Sequence, residues 1–277
     1  MNHKIGLVLE GGGMRGAYTA GVLTAFIDKE IFIPYVIGVS AGANNGANFM
    51  SRQRNRGRRV FVDHVGHKKY LGLGNLIREG SYFGMDFLFN ELPNELEPFD
   101  YKTFYNSKAV FKVCATNAET AEPVYFSHKD YDSRFFMEKI LRASSSLPII
   151  SRPVTIDGHK YFDGGIVDPI PIKKSLQDGN SHNIIVLTRN YGYRKEPEDM
   201  GIILRRVFAV RYPKLMSAIE KRHEVYNSSL DEIERLEKKG YVYVLRPKKK
   251  LMVDRLEKDI SKIADLYDQG YNEAMDR

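Results

Sequence analysis

The sequence predicts an α/β fold, a three-layer α/β/α sandwich whose helices cover both faces of a mostly parallel sheet. Two observations carry this prediction: apolar runs of strand length alternate with segments of helical periodicity, and the first such run leads directly into a glycine-rich turn and a helix. Strands are predicted at 4–9, 35–39, 109–116, 122–126, 153–163, 183–188 and 241–246. Helices are predicted at 15–28, 41–53, 134–143, 202–211, 213–238 and 255–275.

A glycine-rich turn follows the first predicted strand. It consists of Gly11, Gly12, Gly13, Met14, Arg15 and Gly16. Because glycine has no side chain, the backbone approaches a ligand closely and directs N–H groups at it. The helix that follows adds the positive end of its dipole. The turn therefore suits a phosphate group and equally a developing oxyanion.

A second motif places a serine between a strand and a helix. Ser40 stands in a G-x-S-x-G pentapeptide at the end of the apolar run 35–39. The other positions of the pentapeptide are Gly38, Val39, Ala41 and Gly42. This spacing is typical of a nucleophile elbow, a tight turn that exposes the serine hydroxyl and needs small neighbours two residues away on each side. Such a serine usually has a strained backbone, so Ser40 is a candidate nucleophile.

A third motif supplies a carboxylate. Asp163, Gly164 and Gly165 follow the predicted strand segment 153–163, which contains an Asp-Gly turn at 157–158 and therefore indicates two short strands. Since each of the three motifs follows a strand, and ligands bind at the carboxyl ends of the strands in such sheets, we expect all three at one edge of the sheet. An Asp-Gly-Gly sequence alone most often marks a plain turn, and its weight comes from the other two motifs.

The glycine spacing also permits a dinucleotide-binding turn, since G-x-G-x-x-G after a strand most often marks one. In that fold an acidic residue ends the second strand and binds the ribose hydroxyls. Here Gly38, Val39 and Ser40 stand at that position, so the nucleotide interpretation is disfavoured.

A Ser-His-Asp triad is the other alternative. His182 and His223 both follow Asp163, so their order along the chain does not exclude a triad. Neither histidine stands in a glycine-rich loop: His182 precedes a predicted strand, and His223 lies within a long helical pattern. Both are more typical of surface or packing positions, which favours a site without histidine.

Together the three motifs resemble those of the patatin-like phospholipase family, in its short bacterial form. The resemblance covers roughly the first 175 residues, including the segment 143–148 upstream of the aspartate, and the tail from Tyr212 resembles the tails of short bacterial members. It implies a Ser–Asp dyad with Ser40 as nucleophile and Asp163 as base. It also implies that backbone N–H groups of the loop 11–16, chiefly those of its first three glycines, form the oxyanion hole. Burial near this loop is expected to raise the pKa of Asp163 and strengthen it as a base.

The implied activity is that of a serine esterase, a lipid acyl hydrolase of the phospholipase A type that cleaves carboxylic esters through an acyl-enzyme. An acyl transferase or thioesterase with the same dyad is an alternative, and so is a non-catalytic lipid-binding regulatory protein. We predict a patatin-like catalytic core at 1–175 and an extension at 176–277, made of the last core strand and helices that pack on the core. The natural lipid, the positional preference and the oligomeric state are left open.

Composition restricts the partners. The net charge is +7, and Arg52, Arg54, Arg56, Arg58 and Arg59 cluster after the predicted elbow helix. A solvated basic loop is the favoured interpretation, with anionic headgroup attraction as the alternative; no nucleic-acid module is visible.

The histidines lack ligand spacing, so no metal or organic cofactor is predicted. With no apolar stretch of about 20 residues and no apparent signal peptide, we expect a cytoplasmic protein, with peripheral contact at the inner membrane surface as a hypothesis.

Two further segments carry predictions. The single cysteine, Cys114, lies in a predicted buried strand and is interpreted as a small apolar filler. Residues 72–100 are rich in aromatic and aliphatic side chains. They are predicted either to line an acyl-chain channel over the site or to pack as ordinary core around a short helix. Substituting Phe87 and Phe89 should change acyl-length preference in the first case and only stability in the second.

Overall fold

An eight-stranded sheet forms the centre of the computed structural model, which describes residues 5–198, 201–250 and 252–277. The strands are β1 (Ile5–Leu9), β2 (Tyr35–Val39), β3 (Val110–Asn117), β4 (Pro123–Ser127), β5 (Val154–Ile156), β6 (His159–Asp163), β7 (His182–Val186) and β8 (Val242–Leu245). Their order is β5-β6-β3-β2-β1-β7-β8, with β4 also paired to β3. The neighbours β3, β2, β1, β7 and β8 pair in parallel. Strands β4 and β6 pair antiparallel with β3, and β5 pairs antiparallel with β6.

Helices surround this sheet. They are α1 (Gly16–Asp28), α2 (Ala41–Met50), α3 (Arg56–Arg58), α4 (Leu73–Glu79), α5 (Tyr101–Asn106), α6 (Ser133–Phe135), α7 (Arg142–Ser144), α8 (Ile172–Gln177), α9 (Ile202–Arg211), α10 (Pro213–Glu220), α11 (Arg222–Lys238) and α12 (Ile260–Met275). Short 3₁₀ turns lie at Gly13–Arg15 and Gly164–Ile166, and π-helical segments at Arg59–Asp63, Phe87–Leu96 and Phe136–Leu141. Among the described helices, none combines the length and the hydropathy that crossing a bilayer requires.

Alternate residues of β1 show that both faces of the sheet are covered. Leu7 and Leu9 belong to the apolar cluster that includes α1, α2 and α12, whereas Val8 belongs to the cluster on the opposite face, with α8 and α11. A strand buried on both faces is apolar throughout, and this is why the parallel strands are near-continuous apolar runs in the sequence. The predicted three-layer α/β/α sandwich is confirmed.

The C-terminal part is built into this architecture. Strands β7 and β8 extend the parallel sheet beyond β1, and α12 packs directly along α1. The contact is close because two glycines face the opposing backbone: a Cβ at Gly21 would collide with the carbonyl oxygen of Tyr267, and one at Gly270 with that of Tyr18. The Tyr18 hydroxyl also donates to Glu273 over 2.9 Å. The last 100 residues therefore complete the same hydrophobic core.

We expect Gly21→Ala to lower the free energy of unfolding by about 3 kcal/mol, because a backbone carbonyl cannot move aside as a side chain would. The matched control is Gly74→Ala in α4, where an added Cβ meets nothing within 4 Å. That change should leave stability unaltered or raise it by up to about 1 kcal/mol through helix propensity. Urea denaturation of both variants measures the difference, and equal midpoints would contradict the close packing of α1 against α12.

Three predicted boundaries are wrong. The last helix begins at Ile260 rather than 255, because Asp259 caps it by accepting the N–H groups of Ser261 and Lys262; Asp254 and Glu257 do not cap it. The predicted helix 41–53 ends at Met50, and Arg52 adopts a positive φ of 56°. The predicted helix 213–238 is divided at Lys221 into α10 and α11. Lys4, in the first predicted strand, lies outside the described residues.

Candidate active site

Ser40 lies in a tight turn between β2 and α2. Its backbone has φ 53° and ψ −126°, a combination that is strained for a residue with a side chain and that clusters at functional sites. The turn is feasible only with small neighbours. A Cβ at Gly38 would lie 2.8 Å from the backbone of Ala43, and one at Gly42 would lie 2.5 Å from the carbonyl oxygen of Leu9. The sequence thus enforces the turn that presents the Ser40 hydroxyl.

Strand register brings Asp163 to this turn. Val39, the last residue of β2, pairs with Cys114 of β3, and Asp163, the last residue of β6, pairs with the next residue of β3, Ala115. Because β6 is antiparallel to β3, Asp163 reaches the site from the opposite direction. We expected the three motifs to meet because each would follow a parallel strand. That reason fails for Asp163, whose strand is antiparallel, although the three motifs do lie close together.

Asp163 is deeply buried and hydrogen-bonded. It is 2% exposed, its side chain accepts a hydrogen bond from the N–H of Gly165 over 2.7 Å, and it lines the same pocket as Ser40. Burial raises the pKa of Asp163 above its ordinary value, and this effect outweighs the hydrogen bonds and the nearby charges of Arg222 and Arg255, which lower it. A carboxylate with a raised pKa that contacts a serine hydroxyl is chemically suited to accept its proton.

The glycine loop lies against Ser40. A Cβ at Gly11 would be 3.2 Å from the Ser40 Cβ, so only glycine lets the loop approach this closely. The N–H groups in the second half of the loop are already used: Met14 donates to the carbonyl of Arg255, Arg15 to that of Gly12, and Gly16 to carbonyls within the 3₁₀ turn. The amides of Gly11, Gly12 and Gly13 are therefore the donors that this loop offers to a ligand.

The serine-rich segment 143–148 holds the site together. The Ser144 hydroxyl accepts the Ser40 N–H over 2.8 Å and donates to the carbonyl of Cys114 over 2.7 Å. The Ser146 carbonyl accepts the Asp163 N–H over 2.8 Å. This segment thus connects the serine turn, β3 and the end of β6. Cys114 is fully buried, as predicted, and burial raises the pKa of its thiol.

Two pockets of opposite character meet at Ser40, and Gly13, Ser40 and Leu147 line both. The apolar pocket offers about 800 Å³ of empty space, part of it open to solvent. Its apolar lining from the segment 72–100 consists of Phe83, Met85, Leu88, Phe89 and Leu92. The polar pocket offers about 620 Å³, also partly open to solvent, and is lined by the glycine loop, Asp163 and several charged side chains.

The two phenylalanines of the segment 72–100 that the sequence analysis singled out, Phe87 and Phe89, have different surroundings. Phe89 lines the apolar pocket, whereas Phe87 stacks on His67 with ring centroids 4.6 Å apart and packs against Tyr70. The segment therefore contributes Phe89 to the lining of the pocket and Phe87 to core packing.

The histidines of the triad hypothesis lie elsewhere. The His182 ring contacts Ser181 and Tyr241 at the start of β7, and the His223 ring contacts the carbonyl of Glu220. No histidine of the described ranges lines either pocket that contains Ser40.

Within the arginine cluster after the elbow helix, Arg56 departs from the solvated loop that was favoured, whereas Arg52 and Arg54 are exposed. Arg56 is buried; its guanidinium donates to Asn48 over 2.6 Å and to the carbonyl of Glu97. Arg59 pairs with the Glu97 carboxylate over 2.7 Å. The remaining partners are Asp28 for Arg54, Asp63 for Arg58 and the Phe32 ring for Arg52. Most of this charge stabilises local structure.

Sequence reasoning missed the C-terminal contribution to the site. Arg222 and Tyr226 lie one turn apart on α11, and both line the polar pocket together with Arg255. The Arg222 side chain donates to the Gly165 carbonyl over 2.6 Å. The Tyr226 hydroxyl donates over 2.8 Å to Glu10, whose other oxygen accepts the N–H of Thr188. The signal available in the sequence was their spacing of four residues, which places both on one face of a helix.

Comparison with known proteins identifies the family of the chain. A family model described as patatin-like phospholipase matches residues 7–175, and a second, a domain of unknown function designated DUF6363, matches residues 212–277. The chain belongs to the patatin-like phospholipase family.

Curated relatives agree with this family. The chain is 31% identical to the uncharacterized protein YjjU of Escherichia coli over 67% of its own length and 52% of that protein. It is 29% identical to lysophospholipase nte1 of Aspergillus terreus over 61% of its length, and 25% identical to lysophospholipase NTE1 of Lodderomyces elongisporus over 89%. It spans about half of the first relative and only 11% and 17% of the two fungal proteins.

A solved structure also aligns with the chain. VipD from Legionella pneumophila is 14% identical with a TM-score of 0.47, and the alignment covers all of this chain and 66% of VipD.

Proposed function

We propose that this chain is a serine-dependent lipid acyl hydrolase in which Ser40 and Asp163 act as a dyad. One observation carries the proposal: a strained serine and a buried carboxylate line one pocket together with the glycine loop, at the point where that pocket meets an apolar one. Membership of the phospholipase family, with lysophospholipases among the relatives, supports a lipid ester as substrate.

The chemistry proceeds in two halves. Ser40 Oγ attacks the ester carbonyl while Asp163 takes its proton, and the amides of Gly11, Gly12 and Gly13 bind the oxyanion. The tetrahedral intermediate expels the alcohol, which receives the proton from Asp163, and the acyl group remains on Ser40. Water then attacks this acyl-enzyme and gives a proton to Asp163. The fatty acid leaves, and the proton returns to Ser40 Oγ.

A shared acyl-enzyme makes the proposal testable through partitioning. Two esters of one short-chain acid, a nitrophenyl ester and a glycerol ester, are hydrolysed in the presence of methanol. Because both pass through the same intermediate, the ratio of methyl ester to free acid should be the same for the two substrates. A ratio that depends on the leaving alcohol would contradict an acyl-enzyme, and absence of hydrolysis above the buffer blank would favour the non-catalytic alternative.

The apolar pocket is proposed to hold the acyl chain. We expect Phe89→Ala to enlarge the pocket and shift the preferred acyl length upward by about two carbons or more, because the lost ring volume corresponds to several methylene groups. Phe87→Ala is the matched control. It removes the same ring from a core position and should lower stability by about 3 kcal/mol without moving the preference. Profiles of kcat/KM across nitrophenyl esters of increasing length decide between them, and a shift in both or in neither would contradict this role for Phe89.

A further inference from the structure

Glu10 is a buried acid that the proposed chemistry does not use. It links β1 to the glycine loop, is 3% exposed, and its N–H donates to the carbonyl of Val186 in β7 over 3.1 Å. Burial raises the pKa of its carboxyl group, since the hydrogen bonds that it accepts and the charge of Arg15 only partly offset the loss of water. A buried carboxylate costs free energy unless it is hydrogen-bonded, so its partners indicate what it does at this position.

Both oxygens of the Glu10 carboxylate accept hydrogen bonds from segments that are distant along the chain. Oε2 accepts the N–H of Thr188, which follows β7, over 2.5 Å, and Oε1 accepts the hydroxyl of Tyr226, on α11, over 2.8 Å. Both hydrogen bonds are buried. Because both partners are donors, two acceptor oxygens are needed, which a carboxylate supplies and an amide does not. Glu10 therefore connects the start of the glycine loop to the neighbouring strand and to a C-terminal helix.

Thr188 extends this connection to the loop itself. Its hydroxyl donates to the carbonyl of Gly11 over 3.1 Å. Because a trans peptide group is planar, the N–H of Gly12 belongs to the same rigid unit and points in the opposite direction. The contact is close, since a Cβ at Gly12 would lie 2.8 Å from the Thr188 hydroxyl oxygen. The hydrogen bond on the carbonyl thus fixes the direction of an N–H that is a candidate oxyanion donor, and it also polarises that N–H.

The C-terminal segment also holds the other end of the loop. The N–H of Met14 donates over 3.1 Å to the carbonyl of Arg255, and a Cβ at Gly13 would collide with the same carbonyl. Gly13 has a positive φ of 57°, a conformation that glycine adopts at little cost. The three candidate donor amides therefore lie between two supports, with Glu10 and Thr188 at one end and Arg255 at the other.

We propose that Glu10 and Thr188 are positioning residues of the oxyanion hole and that Tyr226 of α11 keeps them in place. Glu10 fixes the position of Thr188, and the Thr188 hydroxyl orients the peptide group between Gly11 and Gly12 before the substrate binds. This preorganisation matters because donors stabilise a developing oxyanion best when they already point at it. The assignment rests on the proposed function and gives the C-terminal segment a part in it: α11 sets how well the glycine loop stabilises the transition state.

A transition-state analogue separates this role from a purely structural one. The carbonyl carbon of a long-chain alkyl trifluoromethyl ketone forms a bond to Ser40 Oγ, the serine proton passes to Asp163, and the carbonyl oxygen becomes an anion in the hole. The corresponding methyl ketone has the same chain but remains largely unreacted. Variants that misplace the loop should lose kcat and affinity for the trifluoromethyl ketone by the same factor, while KM and the affinity for the methyl ketone stay within about threefold.

The Thr188 hydroxyl is tested first. Thr188→Val keeps the branched shape and removes the donor to Gly11, so kcat and affinity for the trifluoromethyl ketone should each fall at least about tenfold, part of the roughly 10²–10³-fold effect of one oxyanion donor. Thr188→Ser keeps the hydroxyl and should stay within about threefold of the unmodified chain in both measurements. A valine variant that keeps its kcat, or a serine variant that loses as much as the valine variant, would overturn the proposal.

The contribution of α11 is tested by Tyr226→Phe, which keeps the ring but leaves one Glu10 oxygen without its donor. We expect kcat and affinity for the trifluoromethyl ketone to fall by about fivefold to tenfold. Tyr18→Phe is the matched control, because Tyr18 is also buried and donates over 2.9 Å to a buried glutamate, Glu273, but lines neither pocket that contains Ser40. It should lower the melting temperature and leave both measurements unchanged. Equal losses in the two tyrosine variants would overturn the proposal, because general destabilisation would then explain them.

The unmodified chain distinguishes failure of this assignment from failure of the proposed function. If it hydrolyses no ester and binds the trifluoromethyl ketone no better than the methyl ketone, the dyad is wrong and the assignment is wrong with it. If it does both, and Thr188→Val and Tyr226→Phe match it, the dyad stands and only the positioning role is wrong. Thermal melting confirms that each variant is folded, and variants on two different segments keep the test valid if one of them fails to fold.

Discussion

Replacing Ser40 by alanine should lower kcat/KM for ester hydrolysis by about 10⁶-fold, to the level of the buffer blank, because no other group can then form the acyl-enzyme. The fold should survive, since alanine keeps the backbone N–H of position 40 that donates to Ser144. Steady-state hydrolysis of a nitrophenyl ester and of a single-chain phospholipid measures the loss. Ser228→Ala, at an exposed position of α11, is the matched control and should retain full activity.

A residual rate in Ser40→Ala within tenfold of the unmodified chain would contradict the role of this serine. It would direct attention to Ser144 and Ser145, which lie in the same cluster: Ser144 accepts the Ser40 N–H, and Ser145 accepts the Asn44 side-chain amide over 3.1 Å. The Ser144 hydroxyl donates to the Cys114 carbonyl, and the serine that interacts with the Asp163 carboxylate is Ser40, so we expect the loss to be complete.

Asp163→Asn should lower kcat/KM by about 10⁴-fold, because asparagine keeps the shape of the side chain but cannot take a proton. Asp168→Asn is the matched control. Asp168 is also largely buried, and burial raises its pKa to about 6, but its carboxylate accepts the hydroxyl of Tyr125 over 2.6 Å and not that of Ser40. Its replacement should change kcat/KM by less than tenfold. Equal losses in the two variants would contradict the assignment of Asp163 as base.

The pH dependence of activity follows from the raised pKa of Asp163. The carboxylate must be ionised to accept a proton, so activity is present above the folded-state pKa and is lost as the pH falls through it. Since burial raises this pKa, the acidic limb of the kcat/KM profile should lie above the ordinary range of an aspartate. A limb at the ordinary value would contradict the burial of an ionised base.

The raised pKa of Asp163 affects stability in the opposite direction: activity increases with pH, whereas the contribution of this group to stability decreases. A carboxyl group whose pKa is higher in the folded state binds its proton more tightly there, so its contribution to stability is complete at low pH and is lost as the pH rises through the folded-state pKa. At neutral pH the buried charge therefore destabilises the fold, and Asp163→Asn should raise the unfolding midpoint or leave it unchanged. A purely structural aspartate would behave in the reverse way, so melting data at pH 7 separate the two roles.

The sequence predicted most of what positions the site. Gly38 and Gly42 allow only one kind of turn around Ser40, because larger residues would meet the backbone of Ala43 and Leu9, and this local constraint is readable without a structure. The Asp-Gly turn at 157–158 divided β5 from β6 because both residues adopt positive φ angles, 48° and 81°, which aspartate and glycine tolerate. Parallel strands buried on both faces produced apolar runs, which is why the three-layer fold was predictable.

The parts that were not predictable depend on contacts distant along the chain. The antiparallel arrival of Asp163 is a property of strand pairing with β3, which leaves no local signal. Arg56 was expected in solvent, yet it is buried because Asn48 and the Glu97 carbonyl satisfy its guanidinium. Arg255 gives no local indication that its backbone would receive the Met14 N–H and bring a charge to the glycine loop.

Covalent capture of the nucleophile tests the central claim most directly. The chain is treated with an alkyl fluorophosphonate, and the modified peptide is identified by mass spectrometry. We predict one adduct per chain, located on Ser40, formed at least about 10³-fold more slowly in Asp163→Asn and absent from Ser40→Ala. An adduct on a different residue, or equal labelling of Ser40→Ala and the unmodified chain, would contradict the proposal that Ser40 is activated by Asp163.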